Sequence, residues 1–130
     1  MSETRGWTPV KTTADTPAPA GAYSPAVRAG NLVFVSGQVP KDPATGEIVS
    51  GDVRAQTRMV LANAARVLDA AGASLDDVVS ITAYLARIDD WAAFNEEYQA
   101  AFRPPYPTRT TVGAELHGFL VEISLIAMVG

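Results

Sequence analysis

The sequence has 130 residues, of which 48% are hydrophobic and 18% charged, a composition typical of one folded domain. We expect a single domain over residues 1–130, with residues 1–18 as an N-terminal arm. The net charge of −4 and the scattered basic residues argue against a nucleic-acid partner, because phosphate contacts need a basic surface. The absence of cysteine and the single histidine, His117, exclude disulfides, thiolate chemistry and a histidine-based metal cluster.

Membrane and nucleotide-binding signals are missing from the sequence. No apolar run reaches the roughly 18 residues that a membrane span requires, so we expect no membrane partner. The first seven residues lack the apolar segment of a signal peptide, and the expected compartment is the cytoplasm. Gly37, Gly46 and Gly51 have neither dinucleotide-binding nor Walker spacing, so the sequence predicts no nucleotide cofactor.

The first third of the chain predicts strands and loops. Prolines among small residues mark the arm, with a short strand near residues 10–12. A hairpin follows, in which strands 27–29 and 32–37 are joined by the turn pair Gly30-Asn31. Residues 40–47 contain two prolines and a glycine and are predicted to form a loop.

Residues 52–71 carry the strongest helical pattern. Apolar residues recur there at helical spacing on one face: Val60, Leu61, Ala64, Val67, Leu68 and Ala71. Gly72 follows the last of them and suits a left-handed C-terminal cap. Three arginines alternate along the helix, and we interpret them as a solvated face: Arg54, Arg58 and Arg66.

The second half of the chain predicts three more strands and a second helix. A strand over residues 78–85 precedes a helix over residues 91–102, which Asp89 or Asp90 can cap. Aromatic residues form the apolar face of this helix: Trp91, Phe94, Tyr98 and Phe102. Strands over residues 108–114 and 119–128 follow.

The resulting order, β-β-β-α-β-α-β-β, predicts an α+β domain with two helices on one face of a mixed sheet. The last strand is apolar on both faces, with Val121, Ile123 and Leu125 on one and Ile126 and Met128 on the other. Such strands are usually buried on both sides. Because one chain lacks the material to cover the second face, we expect a homo-oligomer that packs sheets together.

Two charged residues are candidates for chemistry. Arg109 begins a strand and offers a rigid fork of donors that matches a carboxylate. Glu122 lies inside the last strand, on the face of Ser124, where a partly buried carboxyl would suit acid–base catalysis near neutral pH. The alternative for both residues is a structural ion pair, including one with each other.

Four further residues are weaker candidates. Asn95, near the apolar face of the second helix, either ties loops together or contacts a ligand. Ser36 precedes Gly37 at a strand end, where small residues let a ligand approach, but no base is in view to make it a nucleophile. Tyr23, on a proline-rich loop, either packs on the sheet edge or covers a pocket. His117 is interpreted as a non-catalytic loop residue, because nothing nearby resembles a triad partner.

Together these segments form a recognisable pattern. The most specific parts are Ser36-Gly37-Gln38-Val39-Pro40 and Pro107-Thr108-Arg109-Thr110. The pattern comprises residues 21–25, 36–40, 42–47, 70–79, 91–98, 107–113 and 121–123. In this combination the sequence resembles the reactive intermediate deaminase family, the RidA-like or YjgF-like proteins, over residues 19–128.

The resemblance implies a chorismate-mutase-like fold and a homotrimer with active sites between subunits, without metal or cofactor. It implies hydrolysis of enamines and imines, such as 2-aminoacrylate and 2-imino acids, to 2-keto acids and ammonia, as by a 2-iminobutanoate/2-iminopropanoate deaminase. Arg109 matches the arginine that binds the substrate carboxylate, and Glu122 the glutamate that positions the attacking water. Tyr23, Ser36 and Asn95 match residues that line the family's pocket.

Three positions depart from the family pattern. Thr111, which we count among the substrate-binding positions, stands where several members carry cysteine. His117-Gly118 replaces a Leu-Pro loop, and Ser124 replaces an acidic residue. These changes bear on substrate preference more than on the reaction. The alternatives are a non-catalytic trimer that binds a small carboxylate, and a divergent member serving one degradative or biosynthetic pathway. A ribonuclease is disfavoured by the acidic pI.

Overall fold

The computed structural model describes residues 5–130. Residues 1–4, where the predicted arm begins and where a signal peptide was not expected, lie outside the described residues. The described chain follows the predicted order of elements. Its strands and helices are β1 (Thr8–Pro9), β2 (Ala26–Ala29), β3 (Leu32–Gln38), α1 (Val53–Ala70), β4 (Val78–Leu85), α2 (Trp91–Ala101), β5 (Thr108–Gly113) and β6 (Val121–Met128).

The strands form one mixed sheet in the order β1-β2-β3-β6-β4-β5, which confirms the predicted fold class. The pairs are antiparallel except β4 with β5, which is parallel. The last strand, β6, therefore lies in the interior of the sheet between β3 and β4. Any side chain on β6 is flanked by strands on both sides and keeps a fixed position.

Both helices pack on one face of this sheet. The inward side chains of β6 are buried there, and the largest fully buried residues of the core include Phe94, Leu68 and Ile81. On the other face, Phe34 and Met128 remain 39% and 45% exposed, and no helix of residues 5–130 covers them. The predicted two-sided apolar character of β6 is thus confirmed, while the oligomer inferred from it stays a prediction.

Two predicted boundaries are wrong for reasons of pairing. The first strand is Thr8–Pro9 rather than residues 10–12, because Thr8 lies opposite Arg28 of β2. The last strand begins at Val121 rather than at residue 119. Immediately before it, the Leu120 N–H donates to the buried Gln56 side chain instead of a strand neighbour.

The ends of α1 agree with the sequence, whereas α2 differs from it. Gly72 adopts a left-handed φ of +80° after α1, as predicted. Asp90 precedes α2, but its carboxylate makes no capping hydrogen bond, because a 3₁₀ turn over Ile88–Asp90 leads directly into the helix. Trp91, expected on the apolar face, is 42% exposed, since it occupies the first position of the helix.

Two of the three arginines of α1 connect it to α2. Arg54 lies 3.3 Å from Glu96 and 3.3 Å from Glu97, and Arg58 lies 2.9 Å from Glu97. Arg58 is largely exposed, as a solvated face requires, but the pairing with α2 was not expected from the sequence. Exposed pairs of this kind contribute little stability individually.

The first prediction concerns the N-terminus of α1, where Asp52 accepts a hydrogen bond of 3.1 Å from the Ala55 N–H. We expect Asp52→Ala to lower the free energy of unfolding by about 1 kcal/mol, because a helix N–H loses its acceptor. Asp69→Ala is the matched control, since Asp69 is exposed on the same helix and forms no side-chain hydrogen bond among the described residues. Equal losses in urea denaturation of the two variants would contradict the assignment of this cap.

Candidate functional site

One cavity, of about 610 Å³, lies between the proline-rich loop, the end of β3 and the loop before β6. We call it the Glu122 cavity. Tyr23, Ser36, Lys41 and His117 line it together with Glu122. Its apolar walls are Pro17, Pro19, Pro25, Val39, Ile48 and Phe119. The cavity is large enough for a small metabolite and contains both a carboxyl and basic side chains.

Glu122 projects from the open face of the sheet. It lies opposite Tyr84 of β4 and alternates with the buried Val121 and Ile123, as predicted. Its carboxyl forms no ion pair or hydrogen bond with residues 5–130. Burial raises the pKa of the Glu122 carboxyl, and His117 opposes this rise. A carboxyl with a raised pKa and no fixed partner is suited to accept and release a proton.

Gly37 allows the Glu122 carboxylate to occupy its position. The pairing of β3 with β6 is irregular between Val35 and Gln38, which brings the Gly37 backbone beside Glu122. A Cβ atom at Gly37 would lie only 3.0 Å from the Glu122 carboxyl carbon and would overlap its Oε2. Sequence reasoning noted Gly37 as a place of close approach but assigned the approach to a ligand.

Ser36 and Tyr23 shape the entrance of the cavity. The Ser36 hydroxyl donates to the Ser24 carbonyl at 2.6 Å and so fixes the loop to β3. The Tyr23 hydroxyl accepts from the Ala20 N–H at 3.1 Å, and half of the residue's surface is exposed. The Ser36 hydroxyl is thus held at the cavity wall, and its role in binding a substrate stays a prediction.

Helix α1 positions the loop that carries Lys41. The fully buried Asn63 donates to the carbonyls of Val39 and Lys41, at 3.1 and 2.8 Å. Its own carbonyl accepts from Arg66 at 2.9 Å. Sequence reasoning missed this residue, although an amide inside an otherwise apolar helix pattern was a usable signal.

A second buried amide of α1 fixes the loop that carries His117. Gln56 donates to the Val49 carbonyl at 3.1 Å and accepts from the Leu120 N–H at 2.8 Å. These two contacts connect loops that are far apart in the sequence. Two buried polar side chains of α1, Asn63 and Gln56, therefore fix the loops that wall the Glu122 cavity by hydrogen bonds to their backbone atoms.

Arg109 lines a different cavity, of about 320 Å³, which we call the Arg109 cavity. The guanidinium carbon lies 4.5 Å from the centre of the Tyr98 ring and within 6 Å of the rings of Trp91 and Phe94. No carboxylate of residues 5–130 pairs with Arg109. The aromatic faces thus stabilise the cation while its N–H donors stay available to an anion.

The Arg109 cavity is also polar in its remaining walls. Asn95 lines it, as do Gln99 and Tyr106. The Tyr98 hydroxyl is buried and has no hydrogen-bond partner among the described residues. Burial raises the pKa of the Tyr98 hydroxyl, and the charge of Arg109 opposes this rise.

Arg109 and Glu122 lie on opposite faces of the sheet. Arg109 is paired in register with Ile81, whose side chain is buried under the helices, and its contacts with α2 place it on that same face. Glu122 alternates with residues of the buried face and therefore projects from the other. The structural alternative in which these two residues form an ion pair with each other is therefore wrong for a single chain.

The predicted site residues thus divide into two groups. Tyr23 and Ser36 accompany Glu122, and Asn95 accompanies Arg109. Thr111 lines neither cavity, and its hydroxyl is buried without a partner among residues 5–130. His117, which the sequence placed in an inert loop, is in a loop but borders the Glu122 cavity.

Among residues 5–130, no group of three or more histidine or acidic side chains is arranged to hold a metal ion. Within the same residues, neither helix has the length and apolar character needed to cross a membrane.

Comparison with known proteins gives matches along nearly the whole chain. Residues 13–129 match the family model described as endoribonuclease L-PSP. A RutC family protein of Pyrococcus horikoshii is 46% identical over 117 residues, which are 88% of this chain and 93% of that protein. A 2-iminobutanoate/2-iminopropanoate deaminase of Capra hircus is 39% identical over 120 residues, or 91% and 88% of the two chains.

Solved structures show the same fold. The crystal structure of the YjgF gene product of E. coli superimposes with a TM-score of 0.86 at 35% identity, covering 93% of this chain and 98% of that one. The matched region includes the residues of both cavities, from the proline-rich loop to β6.

The second prediction follows from the contact between Gly37 and Glu122. We expect Gly37→Ala to push the Glu122 side chain toward solvent, and its carboxyl pKa should then fall back toward the ordinary value as burial decreases. Carboxyl carbon chemical shifts followed by NMR during a pH titration would measure this change.

Gly113→Ala is the matched control for this substitution. A Cβ atom at Gly113 meets its nearest neighbours at 3.8 Å, which is ordinary van der Waals contact, and neither glycine has a positive φ. We expect Glu122 in Gly113→Ala to titrate as in the unmodified protein. An unchanged Glu122 titration in Gly37→Ala would show that the carboxylate does not depend on the space left by this glycine.

Proposed function

Since this chain belongs to the endoribonuclease L-PSP family, which includes the RidA-like and YjgF-like proteins, we propose that it hydrolyses reactive enamines and imines to 2-keto acids and ammonia. The observation that carries the proposal is the Glu122 carboxyl, which lies partly buried in a cavity and has no partner in the part of the chain that the structure describes. The deaminase name of the Capra hircus relative supports the same reaction. The proposed substrates are 2-aminoacrylate and small 2-imino acids, and the proposed compartment is the cytoplasm.

The proposed chemistry needs few groups. The imine carbon is already electrophilic, so water can add to it once it is held in place and its proton is accepted. With the imine protonated on nitrogen, the Glu122 carboxylate takes one proton of the water as the oxygen bonds to this carbon, which gives a neutral carbinolamine. The same proton is then delivered to the nitrogen. Glu122 takes the proton of the carbinolamine hydroxyl as the carbon–nitrogen bond breaks, so ammonia leaves and the 2-keto acid forms.

In this scheme Arg109 binds the substrate carboxylate. Its fork of N–H donors can form two parallel hydrogen bonds with the two oxygens, and the rings of α2 hold the guanidinium from behind. Asn95 lies in the same cavity and can donate to the carboxylate or the adjacent atoms. Thr111 lies two residues after Arg109 in β5 and so projects from the same face of the sheet. It would influence the shape of this subsite without contacting the substrate directly.

The site requires two copies of the chain if both charged residues act on one substrate. Arg109 and Glu122 project from opposite faces of the sheet and line separate cavities. The open face, with Phe34, Ile126 and Met128, offers apolar surface for assembly. In keeping with the homotrimer that the family resemblance implies, we propose that Arg109 of one copy faces the Glu122 cavity of the next, with Tyr23 and Ser36 at its wall.

The third prediction tests the role of Arg109. We expect Arg109→Ala to weaken transition-state binding by about 2–5 kcal/mol, because a charge-assisted contact is lost. This loss corresponds to a decrease in kcat/KM of at least roughly 30-fold. The assay follows keto-acid release from imines that an amino-acid oxidase generates in situ. Arg103→Ala is the control, since Arg103 pairs with Asp76 on the surface.

The result separates the alternatives for this protein. Equal activity of Arg109→Ala and the unmodified protein would show that Arg109 does not bind the substrate carboxylate. A protein that binds a small 2-keto acid but never accelerates imine hydrolysis would be the non-catalytic binding trimer, and the proposed reaction would then be abandoned.

The fourth prediction tests whether the site is shared between copies. Arg109→Ala and Glu122→Gln are each expected to be inactive, but unfolding and refolding them together should restore activity. Random assembly of equal amounts into a cyclic trimer regenerates about one quarter of the sites, because each mixed trimer contains one interface with both residues intact. Mixing Arg109→Ala with the double variant is the control and should restore nothing. Absence of recovery in the first mixture would place both residues in one chain's site.

A further inference from the structure

His117 is the single histidine of the chain and one of the departures from the family pattern. It lies in the loop before β6 and borders the Glu122 cavity. The loop is fixed on both sides of it. Gly118 has a left-handed φ of +84°, its N–H donates to the Leu116 carbonyl at 3.0 Å, and the Leu120 N–H is bound by Gln56. The backbone on both sides of His117 is therefore held beside the cavity.

The other charged and titratable groups around Glu122 come from several elements. Lys41 approaches from the loop after β3, Tyr23 from the proline-rich loop, and Tyr84 from β4. The proposed trimer adds Arg109 of a second copy. Lysine and arginine ordinarily stay charged between pH 5 and 8, and tyrosine stays neutral. Histidine is the side chain that ordinarily changes its charge in this range.

We propose that His117 is a positioning residue for the deamination, whose protonated imidazole keeps the Glu122 carboxylate ionised below neutral pH and so sets the acid limit of activity. This inference rests on the function proposed above. No hydrogen bond or ion pair among the described residues joins the two side chains, so the coupling acts through charge across the cavity. Glu122 is exposed to that charge because it has no other partner among residues 5–130.

Burial raises the pKa of the Glu122 carboxyl, so on its own this group would lose its charge at a higher pH than an ordinary carboxyl. The charge of His117 acts in the opposite direction and favours the ionised carboxyl. Without the imidazole, Glu122 becomes neutral at a higher pH, and the base for the attacking water is lost earlier.

The fifth prediction is a pH profile of kcat/KM for the unmodified protein, His117→Gln and His117→Lys on one 2-imino acid, corrected for uncatalysed hydrolysis. In His117→Gln the acid limb should move to higher pH, so its activity relative to the unmodified protein falls progressively, to about one third to one tenth at the acid end of the profile. His117→Lys carries a constant charge and should return the limb to the original position or below it. Arg103→Gln removes an exposed charge that pairs with Asp76 and should give a constant ratio.

A second measurement keeps this inference separate from the proposed function. NMR titration of the Glu122 carboxyl does not require turnover, and His117→Gln should raise its pKa. If the unmodified protein hydrolyses no imine, the proposed function fails, and the titration still decides whether the two residues are coupled. An unshifted acid limb with an unshifted carboxyl titration would overturn the role of His117. So would a loss of activity that is equal at every pH, since that result indicates a contact role.

Discussion

The alternation of side chains along β6 is the constraint on which the rest of the structure depends. This strand pairs with β3 on one side and β4 on the other, so its register is fixed by two ladders. Val121, Ile123 and Leu125 are buried under the helices, and the hydrophobic gain of that burial holds the strand in phase. Glu122 therefore faces away from the core, since a shift of the strand register by one residue would bury its carboxylate.

The helix layer contributes more than apolar area. Asn63 and Gln56 are buried polar residues, and such residues are costly unless every hydrogen bond is made. Here the amide groups satisfy backbone atoms of the two loops that wall the Glu122 cavity. The loops therefore need no regular secondary structure of their own, and the cavity is built on side chains anchored in the rigid part of the fold.

The sequence predicted the element types and the fold class because apolar periodicity is a local property. It failed where distant pairing decides the outcome: β1 is placed by its partner Arg28, and β6 begins only after Leu120 has bonded to α1. Likewise, Arg109 and Glu122 could be identified from residue type and motif. Their location on opposite faces depends on the strand order, which apolar periodicity does not predict. The position of His117 in the same cavity as Glu122 depends on the path of a loop, which periodicity does not predict either.

The close approach of Gly37 to Glu122 has an evolutionary consequence. Any side chain at position 37 would displace the carboxylate at position 122, whereas glycine leaves that space open. Substitutions at the two positions are therefore epistatic. A lineage can lose the glutamate first and then fill the vacated space, but the reverse order passes through an intermediate in which the carboxylate is displaced. Loss of the carboxylate followed by loss of the glycine would mark descendants that have abandoned the proposed chemistry.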